Sequence, residues 1–355
     1  MFDKIMYRKK PCFSIITFLK DYLELYSRYT KIPIEYKDLL SFHGSTALMN
    51  KKDRDSLWVR VFYSDSDRIE IDKKLKEVYS LLHSDGSNIS EPYLNIDAVD
   101  YCTFGNSKPF RIKVRNIIND NFTYFYVKKG DASRIYGLEL EHMLSPYNLN
   151  FLVYQNTLIE EHIAGIPGDD FINEMLIKCS KVEKNQIAKS FVKFNERCMI
   201  RLLGDMRSYN YVITPIHDFD KVIYKIRSID FDQQSYEGNL KVYRPQFFKE
   251  NLKMVELVKD CLSKSSVDQY KIEERAIVAR RILSNESRLT HLLKCMLNDH
   301  ISTKENVLKL KNEIFMLTSY SMFKKSNSMG EILKASFNFI KRNYENHQML
   351  SIRNQ

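Results

Sequence analysis

The sequence predicts an α+β protein, on three observations. Between residues 97 and 129, short apolar and aromatic runs are separated by clusters of turn formers, the pattern of consecutive antiparallel strands. Beyond about residue 245 the hydrophobic spacing is helical almost to the end. Hydrophobic residues make up 44% of the 355, with charged residues at 28%, which excludes a wholly disordered chain and supplies a sizeable core.

In chain order, a helical pattern from Ile15 to Tyr29, a strand over 57–63 and a helix over Ile69–Leu82 predict a small α/β unit. The stretch 84–92, SDGSNISEP, packs turn formers together and suggests a domain boundary. Three strands are expected over 98–104, 110–114 and 122–128, joined across 105–109 (GNSKP) and 119–121 (NDN). A helix over Ser133–Leu144, stopped by Ser145–Pro146, leads to two more strands at 151–154 and 157–163, so the order is βββαββ. After Gly165–Gly168 the character turns helical, notably over Lys184–Leu203, which runs out at Gly204. The strongest late segments are 272–283 and 305–317, and there is no internal repeat. The expected division is 1–95, an accessory α/β domain; 96–165, a strand-rich domain; and 166–355, a helical region.

Composition narrows the function classes. Lys and Arg number 55 against 45 Asp and Glu, a net charge of +10 with acidic residues mixed in almost everywhere, so a nucleic-acid partner is not expected. No apolar run approaches the roughly 20 residues of a bilayer-spanning helix, so no membrane association is expected. The apolar stretch Cys12–Leu19 is too short to signal targeting. Six scattered cysteines form no CxxC pair, which disfavours zinc and redox dithiols and suggests a reducing, cytoplasmic setting. Motifs for GxSxG hydrolases, P-loop enzymes, zincins and EF-hands are absent from the sequence.

The chemistry concentrates at 202–214 (LLGDMRSYNYVIT) and 226–233 (IRSIDFDQ). A helix ending at Gly204, a loop carrying Asp205 and Asn210, and a strand ending in Asp230 can gather oxygen ligands at one point. Hard divalent cations need such donors, usually one or two from protein and the rest from phosphate and water. A second acidic segment, Asp218–Asp220 (DFD), follows Pro215 and precedes a strand, so it reads as a turn.

These segments resemble the protein-kinase-like superfamily, and locally its aminoglycoside-phosphotransferase branch. GDMRSYN is similar to the catalytic loop and IDFD to the metal-binding segment. The resemblance implies a two-lobed fold, an antiparallel-sheet N-lobe and a helical C-lobe, here with an N-terminal α/β extension and a helical C-terminal region. It implies ATP and Mg2+ as cofactors, Asp205 as the catalytic carboxylate, and Arg207 orienting phosphate or Asp205. Asn210 and Asp230 would be magnesium ligands, with Asp232 a possible second carboxylate. Upstream it implies a phosphate-gripping lysine, Lys128 or Lys129 with Lys128 preferred, held by Glu139 or Glu141 with Glu139 preferred. Glu161, His162 and Ile163 would form the hinge that meets adenine. The resemblance covers roughly 97–260. It departs at Leu203, where many relatives carry His, at Asp232, where protein kinases carry Gly, and at 103–109, whose single Gly105 makes no GxGxxG.

The expected activity is transfer of the γ-phosphoryl group of ATP to a hydroxyl-bearing substrate, a small molecule or a protein. A catalytically weak pseudokinase serving as nucleotide-binding scaffold is the alternative, and a helical interaction protein without a nucleotide site is a third reading.

Overall fold

The computed structural model describes residues 10–49, 53, 55–83, 92–105, 107–219 and 221–353, without the side chains of 221 and 346–353. The chain divides into two units. One takes in Pro11–Ala132 and Leu149–His162, the other Ser133–Asn148 and the chain from Ile163 on. The protein is α+β.

The first unit is built on a seven-stranded antiparallel sheet. Its strands are β1 (Gly44–Met49), β2 (Asp55–Phe62), β3 (Leu94–Cys102), β4 (Phe110–Asn116), β5 (Phe122–Lys129), β6 (Phe151–Tyr154) and β7 (Thr157–Glu161), in the spatial order β1-β2-β3-β4-β5-β7-β6. Alternation along β5 separates the two faces: Phe125 and Val127 are fully buried on one, while Tyr124, Tyr126 and Lys128 lie on the other. The first face is covered by a helix. Helix α2 (Asp65–His83) carries Ile71, Leu75, Val78 and Leu82 at helical spacing, and this stripe joins Val99, Ile112, Phe125 and Ile159 in one core.

Strands therefore lie on both sides of the 84–92 stretch at which the sequence suggests a boundary, and they share one sheet and one core. Residues 84–91 of that stretch fall outside the described residues. Strand β1 had no sequence signal because it is mostly exposed on both faces and so does not alternate. It pairs along β2 from Gly44 opposite Phe62 to Leu48 opposite Trp58. The first helix, α1 (Thr17–Leu25), is shorter than the 15–29 pattern. It stops because the chain beyond it docks on β6, with Thr30 N–H donating to the Val153 carbonyl at 3.1 Å and Val153 N–H to that of Arg28 at 2.8 Å.

The second unit is mainly helical. Helix α3 (Ala132–Leu144) falls in chain order between β5 and β6, so the run β3, β4, β5, α3, β6, β7 is the βββαββ that the patterning predicts. A small sheet follows, β8 (Ile166–Pro167), β9 (Tyr211–Asp218) and β10 (Lys221–Ser228), ordered β10-β9-β8. Between β8 and β9 lie the turn α4 (Gly168–Asp170) and the long helix α5 (Lys181–Arg201). Helix α5 starts three residues earlier than expected because Ser180 and Glu183 form a capping box, a signal present in the sequence. It stops at Leu202, which takes a left-handed φ of 55°.

The rest is helical, as predicted: α6 (Leu252–Cys261), α7 (Lys264–Ser284), α8 (Glu286–Asn298), α9 (Lys304–Thr318), the single turn α10 (Met322–Lys325) and α11 (Met329–Arg353). Among the described residues no helix is long and apolar enough to cross a membrane. All six cysteines are free thiols.

Candidate functional site

The end of α5 and the end of β10 are fastened together by backbone. Gly204 N–H donates to the Gln233 carbonyl at 3.0 Å and Ser235 N–H to that of Leu202 at 2.8 Å, and the Gln234 side chain adds a bond from Nε2 to the Arg201 carbonyl at 2.6 Å. A Cβ on Gly204 would come within 2.8 Å of Val242 Cγ1 and 3.0 Å of the Gln233 oxygen, so this approach requires glycine. These bonds hold the loop where the resemblance expects a histidine; Leu203 itself is buried in the core.

The loop then presents Asp205 in a left-handed conformation, φ 58°, a costly state for a residue with a side chain. Asp205 N–H donates to the Val242 carbonyl at 3.1 Å. Its carboxylate accepts from Arg207 Nε at 2.7 Å, and Arg207 Nη1 donates in turn to Glu250 at 2.8 Å. The Asn210 amide donates to the Asp205 carbonyl at 2.7 Å, while the Asn210 carbonyl accepts from Ile229 N–H at 3.1 Å. Those two bonds tie Asn210 to Asp205 within the loop and to Ile229, the residue before Asp230.

Asp230 and Asp232 are joined by a residue that the sequence reading missed. Arg134 of α3, only 1% exposed, donates from Nη1 to Oδ1 of both carboxylates at 2.8 Å each. Asp232 N–H closes an Asx-type turn onto Asp230 Oδ1 at 3.0 Å. The approach of α3 relies on Gly137, whose Cα faces Phe231 so closely that a Cβ would sit 3.0 Å from the Phe231 Cβ. A signal for Arg134 existed. It stands in the first turn of a helix that has no acidic residue there, where a cation is disfavoured and needs an acidic partner from elsewhere. Glu250, 43 residues beyond Arg207, had no such signal.

The electrostatics of the cluster are coherent. Burial pushes the Asp205 carboxyl up to about 6; Arg207 works against the shift, and the like charges of Asp230 and Glu250 add to it. Glu237 is raised as well, first by burial and then by Asp205. Among the described residues no group of three or more His, Cys, Asp and Glu is arranged to hold a metal ion. The donors present are two carboxylates and a side-chain amide, a set that suits a hard cation whose remaining ligands are phosphate and water. Arg134 already neutralises part of that charge.

The remaining expected residues have other partners. Lys128 is buried and Lys129 exposed, on opposite faces of the pleat. Lys128 Nζ donates to Glu160 Oε2 at 2.8 Å, a diagonal neighbour across β5 and β7, since Tyr126 faces Glu160 and Lys128 faces Leu158. Glu139 receives a bidentate grip from Arg288 of α8, at 2.8–3.0 Å. Glu141 ion-pairs with Arg201; burial alone would raise its carboxyl, but Arg201 and Arg197 hold it below the usual range.

At the expected hinge, Glu161 exchanges bonds with Asn150, its N–H donating to the Asn150 carbonyl at 3.1 Å and its carboxylate accepting from Asn150 N–H at 2.9 Å. His162 lies 3.2 Å from the Tyr126 hydroxyl, and its imidazole pKa is lowered by burial and then by Arg111. Ile163 begins the second unit's continuation. In the expected phosphate loop Gly105 has a left-handed φ of 88°, and Asn106 lies outside the described residues. Asp218 ends β9 and Phe219 forms the hairpin turn at φ 45°, as expected of a turn; Asp220 is not described.

No model of a known protein family matches the chain, and no curated protein matches its sequence.

Proposed function

We propose that the protein is an ATP- and Mg2+-dependent phosphotransferase that moves the γ-phosphoryl group to a hydroxyl acceptor, a small molecule or a protein. The observation that carries this reading is the junction of α5 and β10, where Asp205, Arg207, Asn210, Asp230 and Asp232 lie on one hydrogen-bonded framework. Asp205 takes the acceptor's proton, and its raised pKa places it near the range that suits a general base. Arg207 orients that carboxylate and leaves its other nitrogen on Glu250. Asn210, Asp230 and Asp232 are the residues that would hold magnesium, which supplies charge neutralisation for the triphosphate. Lys128 and the 161–163 segment keep the nucleotide roles that the resemblance assigns to them.

A second reading, a pseudokinase that binds nucleotide or a partner without turnover, is favoured by one feature. Arg134 occupies one oxygen of each metal-segment carboxylate. Thermal shift with ATP, with and without magnesium, on wild type and Asp230→Asn, separates the readings when turnover is followed in the same samples. Saturation near 100 times the dissociation constant should stabilise the fold by about 2.7 kcal/mol. A magnesium-dependent shift with turnover, lost in Asp230→Asn, supports the phosphotransferase. Binding without turnover across a panel of hydroxyl acceptors supports the pseudokinase, and no binding of any nucleotide removes both.

A further inference from the structure

Away from the Asp205–Asp230 cluster, helices α5, α6, α7, α9, α10 and α11 and the 240–246 segment line a partly open cavity of about 530 Å3 within the helical unit. That lies inside the roughly 300–1,000 Å3 of small-molecule sites. Its walls are mainly apolar, with Phe191, Met199, Val258, Ile314, Phe323 and Phe339 among them. The ionisable residues that line it are Glu196, Arg244, Lys271 and Arg275, three cations to one carboxylate.

The single carboxylate is already committed. Buried Glu196 accepts from Arg275 Nε at 2.6 Å. Lys271 bonds Asp268 one turn back on its own helix at 3.2 Å. Half-buried Arg244 stacks over Phe247 at 4.8 Å; burial works against its charge, and the same Glu196 carboxylate that Arg275 holds draws it partly back. A guanidinium stays charged at any physiological pH, so this wall keeps a desolvated positive charge beside an apolar interior. One carboxylate shared between Arg275 and Arg244 leaves the wall with a positive excess, which a neutral hydrophobe would bury and a single carboxylate head would offset.

We propose that this cavity is a binding site for an amphipathic monocarboxylate of the fatty-acid type, its aliphatic body among the helices and its head on Arg244. The site is independent of the phosphotransferase reading and stands or falls without it.

The test is calorimetric titration of the full chain with decanoate below its micelle concentration, and with decan-1-ol as the uncharged match. Decanoate should bind at least tenfold more tightly than decan-1-ol. Arg244→Gln should erase that preference, and Ile314→Trp, which narrows the cavity, should weaken both at least fivefold while thermal melting confirms a folded chain. Should either substitution prevent folding, the wild-type comparison alone decides. Equal affinity for acid and alcohol in wild type, no binding of decanoate at 1 mM, or unchanged affinity in folded Ile314→Trp would each overturn the proposal.

Discussion

Asp205 is costly to the fold in two ways, through its left-handed backbone and through the burial of an ionised carboxyl. Its folded pKa of about 6 stands above the ordinary 3.8, so the native state holds a proton that the unfolded chain has lost between those values. The stability it contributes is present in full below pH 3.8 and is lost as pH rises through about 6, an effect on the order of 3 kcal/mol. Asp205→Asn should therefore melt no lower than wild type at pH 7.5, while phosphoryl transfer falls by about 10² to 10⁴. Wild-type kcat should also decline as pH drops below about 6; a flat profile from pH 5 to 8 would remove Asp205 as the base. Arg134 makes the opposite contribution, holding two carboxylates together. Arg134→Met should lower the melting temperature by an amount corresponding to about 2 kcal/mol, less than for a fully buried pair because Asp230 is partly exposed. Magnesium should then stabilise the variant more than wild type, and equal shifts in the two would show that Arg134 does not compete with a cation.

At the scale of elements, the strand pair β5–β7 places Lys128 beside Glu160, both side chains 8% exposed. Removing one partner of such a pair leaves a buried charge and costs roughly 3–5 kcal/mol. Lys128→Met should thus lose stability as well as any nucleotide binding, and Lys128→Met with Glu160→Leu should regain most of the stability. If the double variant recovers its melting temperature and ATP binding together, Lys128 has no nucleotide role. The elements that were legible in sequence share a property: their periodicity is local. The α2 stripe, the alternation of β5 and the Ser180–Glu183 cap all declare themselves within a few residues. Strand β1 is exposed and does not alternate, so it is visible only through its ladder with β2.

At the scale of the whole molecule, the first 95 residues supply α1, β1, β2 and α2 to a sheet whose other strands come later in the chain. They are a structural part of that unit. A fragment of residues 93–355 would expose Val99, Ile112, Phe125 and Ile159, which α2 covers in the full chain. It should show no cooperative unfolding of the sheet by circular dichroism, whereas a cooperative, soluble fragment would restore 1–95 as a separable accessory domain. By itself the sequence determined the α+β class, the βββαββ order, the helical C-terminal region and the placing of Asp205, Asn210 and Asp230 on a loop and a strand end, because each rests on short-range spacing. Only the tertiary structure decided what those charges meet. Arg134 reaches Asp230 and Asp232 across 96 and 98 residues, Arg288 reaches Glu139 across 149, and the cavity around Arg244 draws on six helices. A buried charge must find its counter-charge wherever packing brings one near, and sequence separation carries no record of that choice.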